Sequence, residues 1–177
     1  MKVLILGYSR AGKSTAAEIL AELMEATYAN SSDPLISGVA KELGVSVDHI
    51  LANKDSYRDK LFAYGRAKQV ANAGWPQDEL LENNDIITGL RNPDEVKAAR
   101  DRGFYGRGAI IWISRPGYGA GLTDKLSPDC ADTIIINDGT IEELEEKLSL
   151  LLLQLRALNG EVELHRPTRR GAAEWDP

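Results

Sequence analysis

Cysteine occurs once in the 177 residues, at Cys130, and histidine twice, at His49 and His165. A single cysteine allows no internal disulfide and no cysteine-based zinc cluster, and two histidines far apart in sequence do not suggest a His-rich metal site. The lack of disulfides fits a cytoplasmic location. Long hydrophobic runs are missing too. The N-terminal run Val3-Leu4-Ile5-Leu6 stops at Gly7, short of the apolar core of a secretory signal. Leu150–Leu153 lies within a charged helical pattern, far from the ~20 apolar residues of a membrane span. No membrane partner is expected. Basic residues are the minority, 21 against 27 acidic, for a net charge of −6. That balance argues against gripping a nucleic-acid polymer. It leaves room for a small anionic ligand, because local charge can oppose the total.

What is present reads as one domain with a tail. The run 2–6 is short, apolar and bounded by glycine, the pattern of a strand buried on both faces. Residues 13–26 place Ile19, Leu20, Leu23 and Met24 on one side and Glu18, Glu22 and Glu25 on the other, an amphipathic helix. Further strands are expected at 28–30, 85–89, 109–114 and 133–137. Helices are expected over 35–52 with a break at Gly44, over 55–72, over 77–83, and from Pro93 to near Gly103. Thr140 and Glu143 form a capping box for a last helix with the stripe Ile141, Leu144, Leu148, Leu151, Leu152 and Leu155. Strands alternating with helices predict an α/β fold, a three-layer sandwich around a five-stranded parallel sheet. Residues 158–177 turn polar and are expected to form a loosely held C-terminal tail.

The strongest signal is Gly7-Tyr8-Ser9-Arg10-Ala11-Gly12-Lys13-Ser14, a match to G-x-x-x-x-G-K-[ST]. At average residue frequencies such a match arises by chance in about one chain in a hundred of this length. Here it also lies where a buried strand ends and an amphipathic helix begins, the arrangement the motif requires. Its glycines permit a tight turn that points successive N–H groups at phosphate oxygens, and the following helix adds its positive dipole end. Gly7, Ser9, Arg10, Ala11, Gly12, Lys13, Ser14 and Thr15 are therefore expected to hold ATP. Lys13 would reach the β- and γ-phosphates, the Ser14 hydroxyl would bind Mg²⁺, and Thr15 would support the α-phosphate.

Asn53-Lys54-Asp55-Ser56 superficially resembles a guanine-reading N-K-x-D, but Ser56 stands where the carboxylate belongs. The chain lacks an apolar run ending in Asp-Glu and is short for a motor domain. A small-molecule kinase fits better. Such an enzyme must neutralise phosphate charge, chiefly by positioning and electrostatics. Residues 54–72 carry five basic residues against two acidic ones, a basic island in an acidic chain. Arg91 and Arg115 each follow a strand at its carboxyl end, where ligands bind in open parallel sheets. Two arginines placed this way point to phosphate, although either could be a structural ion pair. Gly117, Gly119 and Gly121 in the stretch after Arg115 suggest a mobile lid over 115–131.

Over about residues 1–157 the chain resembles the phage-type deoxynucleoside monophosphate kinases, a branch of the P-loop nucleoside monophosphate kinases. The resemblance rests on the P-loop, Asn30-Ser31-Ser32-Asp33-Pro34-Leu35, Lys54-Asp55-Ser56-Tyr57-Arg58, Tyr64-Gly65-Arg66, Trp75, Ile86 through Glu95, the strand ending in Arg115, and Ile136-Asn137-Asp138-Gly139-Thr140. It implies MgATP-dependent transfer to a deoxynucleoside 5′-monophosphate. It implies a helical acceptor-binding insertion over 30–84, with Asp33 as its acidic candidate and Arg58, Arg66 and Arg91 as phosphate clamps. Trp75 would wall in the base or act as a core aromatic. Lys13, Arg91 and Arg115 would be catalytic, and Asn137 and Gly139 would lie near adenine or serve as a strand end and helix cap. One position departs from the family pattern Asp-x-Arg: Gly89 stands where the aspartate belongs, which removes a carboxylate from the neighbourhood of the metal. The partners implied are nucleotides, and a homodimer is left open. The alternatives are a kinase of another small phosphorylated metabolite and a nucleotide-binding module without turnover.

Overall fold

A computed structural model of the chain describes residues 1–72, 75–101, 108–121 and 125–161. Five strands form one parallel sheet: β1 (Val3–Leu6), β2 (Tyr28–Asn30), β3 (Ile86–Thr88), β4 (Ala109–Ser114) and β5 (Thr133–Ile136), in the order β2-β3-β1-β4-β5. β1 is central and every residue in it is buried, as its unbroken apolar run requires. The short edge strand β2 carries an exposed Tyr28, which is why its sequence signal is faint.

Alternation along the strands separates two layers. On one face Val3, Ile5, Ile86, Ile111 and Ile113 meet Ala16, Ala17 and Leu20 of α1 (Lys13–Met24), and Leu144, Leu148 and Leu151 of α7 (Ile141–Leu158). On the other, Leu4, Leu6, Ile87, Ile110 and Trp112 meet Leu80 of α5 (Gln77–Asn83) and Val96 and Ala99 of α6 (Pro93–Ala99), with Leu126 beside them. Each large side chain fully buried here contributes about 1.5–3 kcal/mol before entropy is counted. The three-layer α/β sandwich with a five-stranded parallel sheet is thus observed.

Helices α2 (Asp33–Leu43), α3 (Val47–Ala52) and α4 (Arg58–Ala71) stand apart, around a core of Ile36, Val39, Ala40, Ile50 and Leu61. α2 starts two residues earlier than the apolar pattern suggests, because Pro34 fits the first turn of a helix and Asp33 can precede it. α4 starts three residues later. Residues 53–58 form successive one-turn bonds (Ser56 N–H to Asn53, Tyr57 N–H to Lys54, Arg58 N–H to Asp55) before the helix settles. Asn92 and Glu95 close a capping box on α6, a signature readable in the sequence but overshadowed there by Pro93. The tail beyond 161 and the expected helix end near Gly103 lie outside the described residues. Among the described residues no helix is long and apolar enough to cross a membrane.

Candidate functional site: the phosphate-binding loop and its rim

β1 runs straight into the P-loop, and three fastenings hold that loop. Gly7 packs so tightly on the Ile113 carbonyl of β4 that a Cβ there would overlap it. Tyr8 meets the buried Trp112 edge-on, with ring centroids 4.9 Å apart. From the far side, Asn137 at the end of β5 donates its side-chain amide to the Ala11 carbonyl at 2.9 Å, while its own N–H bonds Ser114 at 2.7 Å. Between these points Arg10 (φ 64°) and Gly12 (φ 97°) are both left-handed. Left-handed residues alternating with ordinary ones are the backbone pattern of an anion-binding nest, here with the Ala11 N–H donated to the Tyr8 carbonyl at 3.2 Å. α1 begins at Lys13 with no side-chain cap, so its first N–H groups stay available to a ligand.

The Lys13 ammonium lies across the loop and donates to the Tyr8 carbonyl at 2.7 Å. Ser9, Arg10 and Ser14 are exposed, Ala11 is buried and Thr15 is half-buried. This arrangement suits a polyphosphate. It also suits magnesium, a hard cation that takes few protein ligands and arrives with phosphates. The exposed Ser14 hydroxyl is a fitting oxygen donor. Among the described residues no group of three or more His, Cys, Asp or Glu side chains could hold a metal alone.

The connections of β1 and β4 leave in opposite directions across the sheet, so the crevice between their carboxyl ends is a topological switch point. Arg115 sits there directly after β4, its guanidinium 5.2 Å from the Tyr118 ring centroid across a turn closed by Tyr118 N–H to the Arg115 carbonyl. Arg91 follows β3, and its backbone N–H is held by the Glu95 carboxylate at 2.9 Å. Arg58 heads α4 and pairs at 2.7 Å with Asp55, both exposed. Arg66 lies exposed one turn before Val70 on the same helix. Trp75 is half-buried with its ring edge-on to Tyr64, centroids 5.9 Å apart. The Asp33 carboxylate accepts the Asn30 N–H at 2.7 Å and so closes the turn between β2 and α2. Gly139 lies beneath the Glu143 carboxylate, which reaches back to Thr140 N–H at 2.9 Å. Next to it, the Lys147 ammonium beside Asp138 holds that carboxyl below the usual carboxylate range.

The Gly89 departure has a structural cause. Its φ is +90°, and a Cβ would lie 2.5 Å from Asn30 Oδ1 and 2.8 Å from Ser31 Oγ. The neighbouring strand end fills the volume in which an aspartate would stand. Asp85, the other acid of that segment, is at the amino end of β3, where Thr27 bonds it. Three residues at this rim lie in the quoted motifs but were given no site role of their own: Asn30, whose Oδ1 accepts from Ser32 N–H and Oγ–H, Lys54, whose ammonium reaches Ser32 Oγ at 3.3 Å, and Thr88. A hydroxyl residue ending an apolar strand was the available signal for Thr88.

No family model matches the chain, and no curated protein matches it. Among solved structures it is similar to shikimate kinase from Acinetobacter baumannii in complex with shikimate, with 17% identity and a TM-score of 0.52 over 86% of this chain and 93% of that one. Shikimate kinase from Aquifex aeolicus aligns with 20% identity and a TM-score of 0.48 over 90% of this chain and 100% of that one. A gluconokinase from Sinorhizobium meliloti aligns with 13% identity and a TM-score of 0.48 over 92% and 97%. At such identities the likeness is one of fold: the chain has the three-layer fold of small P-loop kinases.

Proposed function

We propose that the protein is a P-loop phosphotransferase that passes the γ-phosphoryl group of ATP to a nucleoside 5′-monophosphate, preferring deoxynucleotides. The observation that carries this is the pre-shaped phosphate nest with Arg91 and Arg115 at the adjoining strand ends. An acceptor phosphate oxygen would attack the γ-phosphorus. The new P–O bond would form as the bond to the β,γ-bridging oxygen breaks, and ADP would leave. The acceptor phosphate is an anionic nucleophile at neutral pH, so no side chain need remove a proton. Lys13 and the two arginines would spread the charge of the transferring group, and the nest would hold the nucleotide still. Magnesium, when bound, would neutralise charge on the β- and γ-oxygens. Helices α2–α4, with their own core, are the proposed acceptor-binding insertion, and 115–131 the proposed lid.

Coupled ADP release across ribo- and deoxynucleoside monophosphates tests the reading, with Lys13→Ala as the inactive control. No acceptor-dependent release with any monophosphate overturns it. The neutral, hydroxyl-rich turn Asn30-Ser31-Ser32 favours a second reading, transfer to another small metabolite. Shikimate belongs in the same panel, because the similar shikimate kinase structure holds it.

A further inference from the structure

The backbone before Arg115 is tied to the P-loop. The Ile113 carbonyl packs against Gly7, and the Ser114 carbonyl accepts the N–H of Asn137, which in turn donates its amide to Ala11. The side chain of Arg115 is exposed, and a free guanidinium chain carries much rotamer entropy. Tyr118 limits that freedom. Residues 115–118 close a turn through Tyr118 N–H to the Arg115 carbonyl at 3.1 Å, with Pro116 second and Gly117 third at φ 82°. This is the pattern of a type II turn, which needs a positive φ at its third residue.

The turn sets the Tyr118 ring 5.2 Å from Arg115 Cζ, within cation–π range. Tyr118 is 40% exposed and belongs to none of the three apolar clusters, so burial does not account for an aromatic here. The contact also differs from an ion pair. Arg58 and Arg100 are each held by an aspartate, which offsets their charge. Among the described residues Arg115 has no carboxylate partner. A ring attracts a cation through its quadrupole and carries no net charge, so the positive charge stays whole for phosphate oxygens.

We infer that Tyr118 is a positioning residue for phosphoryl transfer: its ring restrains the Arg115 guanidinium at the strand end beside the P-loop without neutralising it. This rests on the reading of the site as a P-loop phosphotransferase. A side chain restrained beforehand loses less freedom when it meets the charge of the transferring group.

ADP release by the full chain, with whichever monophosphate of the panel turns over fastest, tests the inference. Tyr118→Leu is expected to lower kcat about two- to fivefold, the worth of one exposed cation–π contact. Its KM for ATP and its unfolding midpoint should be unchanged. Tyr118→Phe keeps the ring and should keep kcat. Tyr118→Glu can hold the guanidinium but offsets its charge, and should lower kcat further than leucine does. In an Arg115→Ala background Tyr118→Leu should have no further effect, which a merely structural role in the turn would not predict. In the ligand-free protein the NMR signal of the Arg115 Nε–H should shift in Tyr118→Leu and stay near its place in Tyr118→Phe. A leucine variant with wild-type kcat, a phenylalanine variant as slow as leucine, a leucine effect that persists without Arg115, or an Nε–H signal indifferent to leucine overturns the inference. A wild-type chain with no acceptor-dependent release overturns the phosphotransferase reading beneath it.

Discussion

The bond between Asn137 and Ala11 joins residues 126 positions apart and bears on Gly12 as well, because a Cβ at Gly12 would overlap the Asn137 amide. These facts set up a double-mutant cycle. In Gly12→Ala, a side chain forced to the left-handed φ of 97° costs about 1–2 kcal/mol. The new methyl also displaces the Asn137 amide and strips the Ala11 carbonyl of its partner, for about 1–3 kcal/mol more. Asn137→Ala alone costs the same 1–3 kcal/mol. In the double variant the methyl meets open space, so only the backbone cost is added to the lost bond. The double variant should therefore be destabilised by about 2–5 kcal/mol, less than the sum of the singles by about 1–3 kcal/mol. Urea unfolding of all four proteins measures the coupling, and ATP affinity follows the same cycle if the loop is what Asn137 supports. Additivity to within about 0.5 kcal/mol would show that Asn137 and Gly12 are independent and refute the reasoning.

Three further outcomes are expected. Gly89→Asp, which restores the acidic residue of the resembled family, should fail to raise activity and should destabilise by about 1–3 kcal/mol, because the backbone is left-handed there and Asn30 and Ser31 occupy the space; a stable, more active variant in a thermal melt and ADP-release assay would contradict this. The Asp138 carboxyl is held low by Lys147, so its favourable interaction is complete above the ordinary carboxylate range and is lost as pH falls through the lowered value; NMR titration of Lys147→Gln should find the Asp138 carboxyl returned upward toward its ordinary value. Arg115→Ala should lower kcat by about 10²–10³ with little change in ATP affinity, if the guanidinium beside Tyr118 meets charge that develops only during transfer; an equal loss in ATP binding and kcat would assign it to ground-state binding instead.

The P-loop was legible because its information is contiguous. Eight residues specify strand end, turn and helix start, and glycine is needed at Gly12 by backbone sterics that operate locally. The sandwich was legible from alternation, since Val3, Ile5 and Ile86 differ from Leu4, Leu6 and Ile87 only in which face they present. Boundaries were less legible. Leu35 begins the apolar periodicity that marks α2, yet the helix starts at Asp33 because capping and proline geometry carry no hydrophobic signal.

What only the tertiary structure decided concerns contacts between strand ends that are remote in sequence. Asn137 reads in one dimension as a strand end near adenine; in three it is the brace of the P-loop. Gly89 reads as a missing carboxylate; folding shows that the end of β2 fills the place of one. Thr88 reads as an ordinary β-branched strand residue, and only burial reveals a hydroxyl without a partner. A local pattern determines backbone conformation because its sterics act over a few residues. Which side chains share a volume depends on strand order, and strand order exists only once the sheet has formed.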